Sequence, residues 1–162
     1  MTNLPLCQKI ETGRGNDAEV SCSLTYEDRF LRRKVLTTVK GERFLVDLES
    51  ATHLNDTDAF RLSDERLVAI TAAQEELVEV KGNDLLRYAW HIGNRHTPCQ
   101  IETNRLLIAR DHVIEAMLTQ LGAELTSVHE PFLPEGGAYG HGRTFGHDHG
   151  HTHDHAHHHS HD

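Results

Sequence analysis

The chain has 162 residues, 37 % of them hydrophobic, which suits one or two small domains of ordinary size. Its formal charge is −9 with all fifteen histidines counted as neutral, and nothing about it suggests nucleic-acid binding, which wants a basic stripe or face. No window approaches the roughly 18 apolar residues of a membrane span. The start MTNLPLCQKIETG also lacks the charged and then apolar pattern of a secretory leader. Cys7, Cys22 and Cys99 form no CxxC pair and no even framework, which fits a reducing compartment. The expectation is a soluble, cytoplasmic protein.

The first half reads as strands. Leu4–Glu11, Glu19–Thr25 and Leu31–Val39 are β-type runs broken by Gly, Asn and Asp clusters. Lys40-Gly41 then separates Leu36–Val39 from Arg43–Leu48 as a hairpin. Arg29, Arg32, Arg33 and Lys34 form the densest basic cluster, read as solvated strand positions, with a docking patch for an acidic partner as the alternative. His53 falls in a loop and receives no role. The run Asn55-Asp56-Thr57-Asp58 suggests a calcium loop, which wants Gly at its sixth position and Glu at its twelfth. Counted from Asp56, those positions hold Arg61 and Leu67. It is a turn, followed by strands at Phe60–Leu62 and Leu67–Thr71.

From residue 76 the rhythm changes. Leu77–Val80 is a strand. Asn83 or Asp84 caps a helix carrying Leu85, Leu86, Ala89, Trp90 and Ile92 at helical spacing, and Gly93-Asn94 stops it. Thr97–Glu102 and Leu106–Ala109 are strands. Asp111 caps a second helix with the stripe Val113, Ile114, Met117, Leu118 and Leu121. Gly122 closes it before a last strand, Ala123–Val128. This β-α-β-β-α-β order is the ferredoxin-like unit. The fold class expected is α+β: an all-β domain (residues 1–74), a ferredoxin-like domain (75–140) and a flexible His-rich tail (141–162).

The tail carries the strongest chemical signal. HDHGHTHDHAHHHSHD contains His147, His149, His151, His153, His155, His157, His158, His159 and His161, and His141 lies just upstream. Imidazole is the commonest side-chain metal ligand, and a segment with almost no apolar surface cannot repay the entropy of ordering. A purification tag is usually a uniform run of six or more histidines. This stretch has at most three together and alternates elsewhere, so it is read as a metal collector.

Catalysis has little support. HExxH, GxSxG and a phosphate-cradling glycine loop are absent from the sequence, and each is the pattern its chemistry requires. His96-Thr97-Pro98-Cys99 resembles part of the zinc deaminase signature, but Glu102 stands where its second cysteine belongs. The chain is not expected to be an enzyme. His96, just past the first helix, is either a surface histidine or an ordered metal ligand. His112 opens the second helix, where the dipole favours the neutral imidazole that binds metal; a solvated helix start is the alternative. His91 and His129 are read as structural or solvated, and Cys99 as a small buried hydrophobe. One histidine cannot close a metal site, whereas two copies about a two-fold axis supply two.

GNRHTPCQIE (Gly93–Glu102), RDHVIEAMLTQLG (Arg110–Gly122), PFLPEGGAYGHG (Pro131–Gly142) and the His-rich end resemble the UreE urease accessory proteins. LTYEDRFLRRKVL (Leu24–Leu36) resembles their N-terminal domain. That resemblance implies a nickel metallochaperone with a β-domain for partner contact and a dimerising ferredoxin-like domain. It further implies that His96 binds Ni(II) at the interface of a homodimer and that His112 adds a peripheral site. Members with that peripheral site carry a second histidine two residues earlier, where this chain has Arg110. Implied partners are the urease accessory GTPase and the urease apoprotein–accessory complex. Imidazole suits nickel, zinc and copper alike, so Zn(II) and Cu(II) are competitors. A storage protein that buffers Ni(II) or Zn(II) without delivering it is the alternative.

Overall fold

The computed structural model describes residues 3–136. Six strands come first: β1 (Leu6–Glu11), β2 (Val20–Leu24), β3 (Phe30–Thr37), β4 (Arg43–His53), β5 (Ala59–Leu62) and β6 (Leu67–Ala72). They form one sheet in the order β2-β6-β5-β1-β4-β3. β3 and β4 make the hairpin that Lys40-Gly41 predicts, with Thr37 opposite Arg43. Alternating side chains point inward as a pleated strand requires, and Phe44, Val46, Phe60, Leu62, Val68 and Ile70 lead the core they enclose. β4 runs five residues beyond the expected Leu48, so His53 is a strand residue paired with Phe30.

The second unit contains β7 (Gln74–Lys81), α1 (Leu85–Asn94), β8 (Gln100–Ile101), β9 (Leu106–Ala109), α2 (His112–Gln120) and β10 (Glu124–Pro131). Its sheet is ordered β10-β7-β9-β8 with every neighbouring pair antiparallel. The whole is an α+β architecture of mostly strands and two helices. A single residue, Ala73, separates the two sheets. Val78, Val80, Leu106 and Ile108 pack against Tyr88, Ile92, Ile114 and Leu118 of the helices.

Both helices bury less of the expected stripes than their periodicity suggests. On α1 the inward residues are Leu85, Tyr88, Ala89 and Ile92, while Leu86 and Trp90 are 89 % and 63 % exposed. Val113 on α2 is also exposed. Gly82 makes the turn into α1 at φ 147°, and a Cβ there would sit 2.9 Å from the Tyr88 hydroxyl oxygen. α2 begins as expected. The Asp111 Oδ1 accepts from the Val113 and Ile114 amides at 2.9 and 3.1 Å, and the Glu115 carboxylate accepts from the Asp111 amide. Such caps satisfy donors that a helix start leaves unpaired.

A third cluster joins the two sheets: Tyr26, Leu77, Leu107 and Phe132. Arg29 is not a solvated strand residue. It is 1 % exposed and lies in the turn before β3. Its guanidinium donates to the Leu24 carbonyl on one side of the seam and to the Phe132 carbonyl on the other. The neighbouring cations face outward, with Arg33 paired to Asp47 and Lys34 to Asp28. The acidic turn is structural: Asp56 accepts from the Ala72 amide and Asp58 from that of Gly13.

Candidate metal centre

α1 does not stop at Gly93-Asn94. Both residues belong to the helix, Arg95 is its C-cap, and His96 takes the left-handed conformation at φ 58°. The His96 amide donates to the Gly93 carbonyl at 2.9 Å and the Thr97 amide to that of Ile92 at 3.3 Å. This is the Schellman pattern, whose left-handed position glycine ordinarily fills. A side chain there is uncommon and costs energy. The helix end therefore fixes the backbone that projects the exposed imidazole. It also shortens the following strand: Thr97 bonds back to the helix, Pro98 has no amide to give, and pairing begins only at Gln100.

The topology brings the second candidate to the same end. β7 and β9 are antiparallel, so α1 returns toward the end of the sheet from which α2 departs. The C-terminus of α1, with His96, and the first residue of α2, His112, both lie at the end that meets the β-domain. His112 is exposed. Arg110 is committed elsewhere, donating to the Ser127 Oγ at 2.7 Å and pairing with Glu115 at 3.4 Å.

The chain beyond β10 turns back to this place. The Leu133 amide donates to the Gln100 side-chain oxygen and the Glu135 amide to the Cys99 carbonyl, both at 2.8 Å. Residue 136 is thus reached one residue after an anchor on Cys99, itself three residues along from His96. The candidates His141, His147, His149, His151, His153, His155, His157, His158, His159 and His161 lie outside the described residues.

Burial, aided by Glu135, pushes the Cys99 thiol up to about 12, and its side chain packs against the helix-side core. His91 stands edge-on to Trp90, ring centroids 5.0 Å apart. His129 is an exposed β10 residue opposite Glu76. Among the described residues no three His, Cys, Asp or Glu side chains converge to hold an ion. His53, to which no sequence pattern gives a role, packs at the seam with its ring 5.0 Å from that of Tyr26.

An α+β protein of two sheets, with an ordered histidine at a helix end and the root of a His-rich segment tied beside it, has the features of a metal-handling accessory protein. Residues 3–73 match the N-terminal domain of the UreE urease accessory protein family and residues 65–161 its C-terminal domain. The chain belongs to that family. It is 62 % identical over 146 residues to a urease accessory protein UreE of Ruegeria pomeroyi, covering 90 % of this chain and 98 % of the relative. The UreE of Cereibacter sphaeroides is 56 % identical over 149 residues, covering 91 % and 81 %. That of Paracoccus denitrificans is 61 % identical over 128 residues, covering 79 % and 80 %.

Proposed function

We propose that this chain is a nickel carrier that collects Ni(II) and donates it for assembly of the urease metallocentre. It works as a homodimer in the cytoplasm. The observation that carries the reading is the outer face of α1. Leu86, Trp90 and Gly93 follow one another at helical spacing, all exposed, and the stripe ends at His96. A glycine inside a helix costs roughly 0.5–1 kcal/mol against alanine. A Cβ on Gly93 would meet nothing within 4 Å in a single copy. Close approach of a second helix gives that glycine a purpose, and a two-fold axis there sets two His96 imidazoles side by side.

Two imidazoles leave coordination positions open, and the tail histidines fill them from a root anchored at Cys99. An incomplete ligand set exchanges its ion readily, which suits donation. Imidazole binds Ni(II) and also takes Zn(II) and Cu(II), Cu(II) more tightly still, so both compete as cargo. We read residues 75–140 as a ferredoxin-like metal-binding and dimerisation domain, residues 1–74 as the partner-contacting domain and residues 141–162 as the collector. The partners are the urease accessory GTPase and, through it, the urease apoprotein complex. His112 serves at most as a peripheral ligand.

The test is nickel titration of a chain ending at Gly140, with and without His96→Ala. The carrier reading expects one tight site per dimer to survive truncation and to vanish with His96. Loss of all binding with the tail would instead favour storage without directed delivery.

A further inference from the structure

We propose that His53 makes the seam between the two sheets sensitive to acid: a proton on its imidazole loosens the contact and frees the segment Phe132–Glu135. A stack of rings crosses this seam. His53 at the end of β4 lies 5.0 Å from the ring of Tyr26, and Tyr26 meets Phe132 edge-on at 5.3 Å. The Arg29 guanidinium sits 5.7 Å from the Tyr26 ring centroid and ties Leu24 to Phe132 through its two hydrogen bonds.

The Nδ1 of His53 is buried in this stack without a hydrogen-bond partner among the described residues. A neutral ring protonated on Nε2 leaves only a lone pair unused there. A charged ring carries a proton on both nitrogens. It would bury an N–H with no acceptor and add a second cation beside Arg29, and both are costly.

The carboxylates nearby are engaged. From the loop between β4 and β5, Asp56 accepts from the Ala72 amide and Asp58 from the Gly13 amide. From β7, Glu75 accepts from the Tyr26 amide. None bonds to Nδ1. Burial first, and the charge of Arg29 second, hold the imidazole below its ordinary value.

A depressed histidine favours the closed seam fully above the ordinary value of about 6.5. That preference is lost as pH falls, because the opened ring takes the proton. At pH 5.5 an opened ring is about ten parts charged to one neutral, so opening rises up to about tenfold. Phe132 leads directly into the anchors at Gln100 and Cys99, so the same proton loosens the root of the tail.

The experiment is hydrogen exchange by mass spectrometry on the full chain, kept metal-free with a chelator. Rates are corrected for the pH dependence of chemical exchange. Between pH 7.5 and 5.5, residues 24–31 and 130–135 should open up to about tenfold more, while 68–70 and 114–118, in the cores of the two units, change little. His53→Phe keeps a ring against Tyr26 without a titrating group, and it should flatten the response. His53→Gln, neutral throughout, gives the same readout if the phenylalanine variant does not fold. The proposal is overturned by an unchanged seam in the wild type, by a rise spread evenly over the chain, or by the same rise in the neutral variants.

Discussion

Across the end of α1 the amide of Thr97 donates to the carbonyl of Ile92, and His96, enclosed by that bond, is held at φ 58°. The proposed ligand therefore occupies a position that a glycine would fill more comfortably. Left-handed backbone costs a non-glycine residue roughly 1–2 kcal/mol. His96→Gly is expected to be about 1 kcal/mol more stable in urea than His96→Ala, which keeps the strain, and both should lose the tight metal site. Equal stability of the two variants would show that the bonded turn does not hold residue 96 in this conformation.

Trp90 is 63 % exposed on the same helix, and it forms no part of the domain's own core. Trp90→Glu should leave the far-ultraviolet circular dichroism spectrum unchanged, because the side chain lies outside the core of its own chain, while its melt loses what association adds. In sedimentation it should convert the proposed dimer to single chains. Loss of the tight nickel site with His96 intact would follow, because the site needs both copies. A variant that stays dimeric and keeps the site would move the interface off α1.

Much of this architecture is legible in the chain. Asp111 signals the start of α2 because a side-chain acceptor is what free helix amides require, and the βαββαβ order follows from changes of periodicity. The residues that local pattern misplaces are those whose role depends on distant neighbours. Periodicity puts Leu86 and Trp90 in a helix but does not say that Tyr88, four positions before Ile92, faces the core in their stead. Gly93-Asn94 looks like a stop, yet the terminating bonds are made by the amides of His96 and Thr97. Arg29 resembles one of a solvated basic group. Its two acceptors, Leu24 and Phe132, stand far apart in the chain, and only the meeting of two sheets brings them to one guanidinium. The tail's composition announces metal, whereas its anchorage near His96 depends on Glu135 finding Cys99, a pairing no local pattern encodes.

Arg29 supplies a direct measure of that seam. Arg29→Met keeps an apolar stem but removes the buried guanidinium, which leaves the Phe132 carbonyl without this donor while the Leu24 carbonyl keeps the Ala73 amide. An unsatisfied buried acceptor costs about 1–3 kcal/mol, so a loss of roughly 1–3 kcal/mol is expected. The loss should fall mainly on the coupling between sheets, seen as a urea transition that separates into two and as protease cleavage near Ala73. A single cooperative transition with the wild-type midpoint would deny Arg29 this role.

Cys99 stands three residues from His96 and tempts assignment as a soft ligand. Its thiol is held at about 12 by burial, so the thiolate that binds metal is scarce at neutral pH. Cys99→Ala is expected to retain the tight site and its nickel stoichiometry, at a cost of about 1 kcal/mol for the sulfur removed from the core. Reaction with a thiol reagent at pH 8 should be slow until urea opens the fold. Weakened nickel binding in a well-folded Cys99→Ala protein would place sulfur in the metal shell.

Proton competition sets the last expectation. Metal and proton seek the same imidazole nitrogens, and an ordinary histidine titrates near about 6.5. The tail is the greater store of them, nine between His147 and His161. Protonation rises as pH falls, so nickel capacity should be full at pH 7.5 and mostly lost at pH 5.5, with the tail contributing the larger part of the change. A chain ending at Gly140 should lose fewer ions over the same interval. Equilibrium dialysis that returned equal stoichiometry at both values for the full chain would show that the tail's histidines are not its metal ligands.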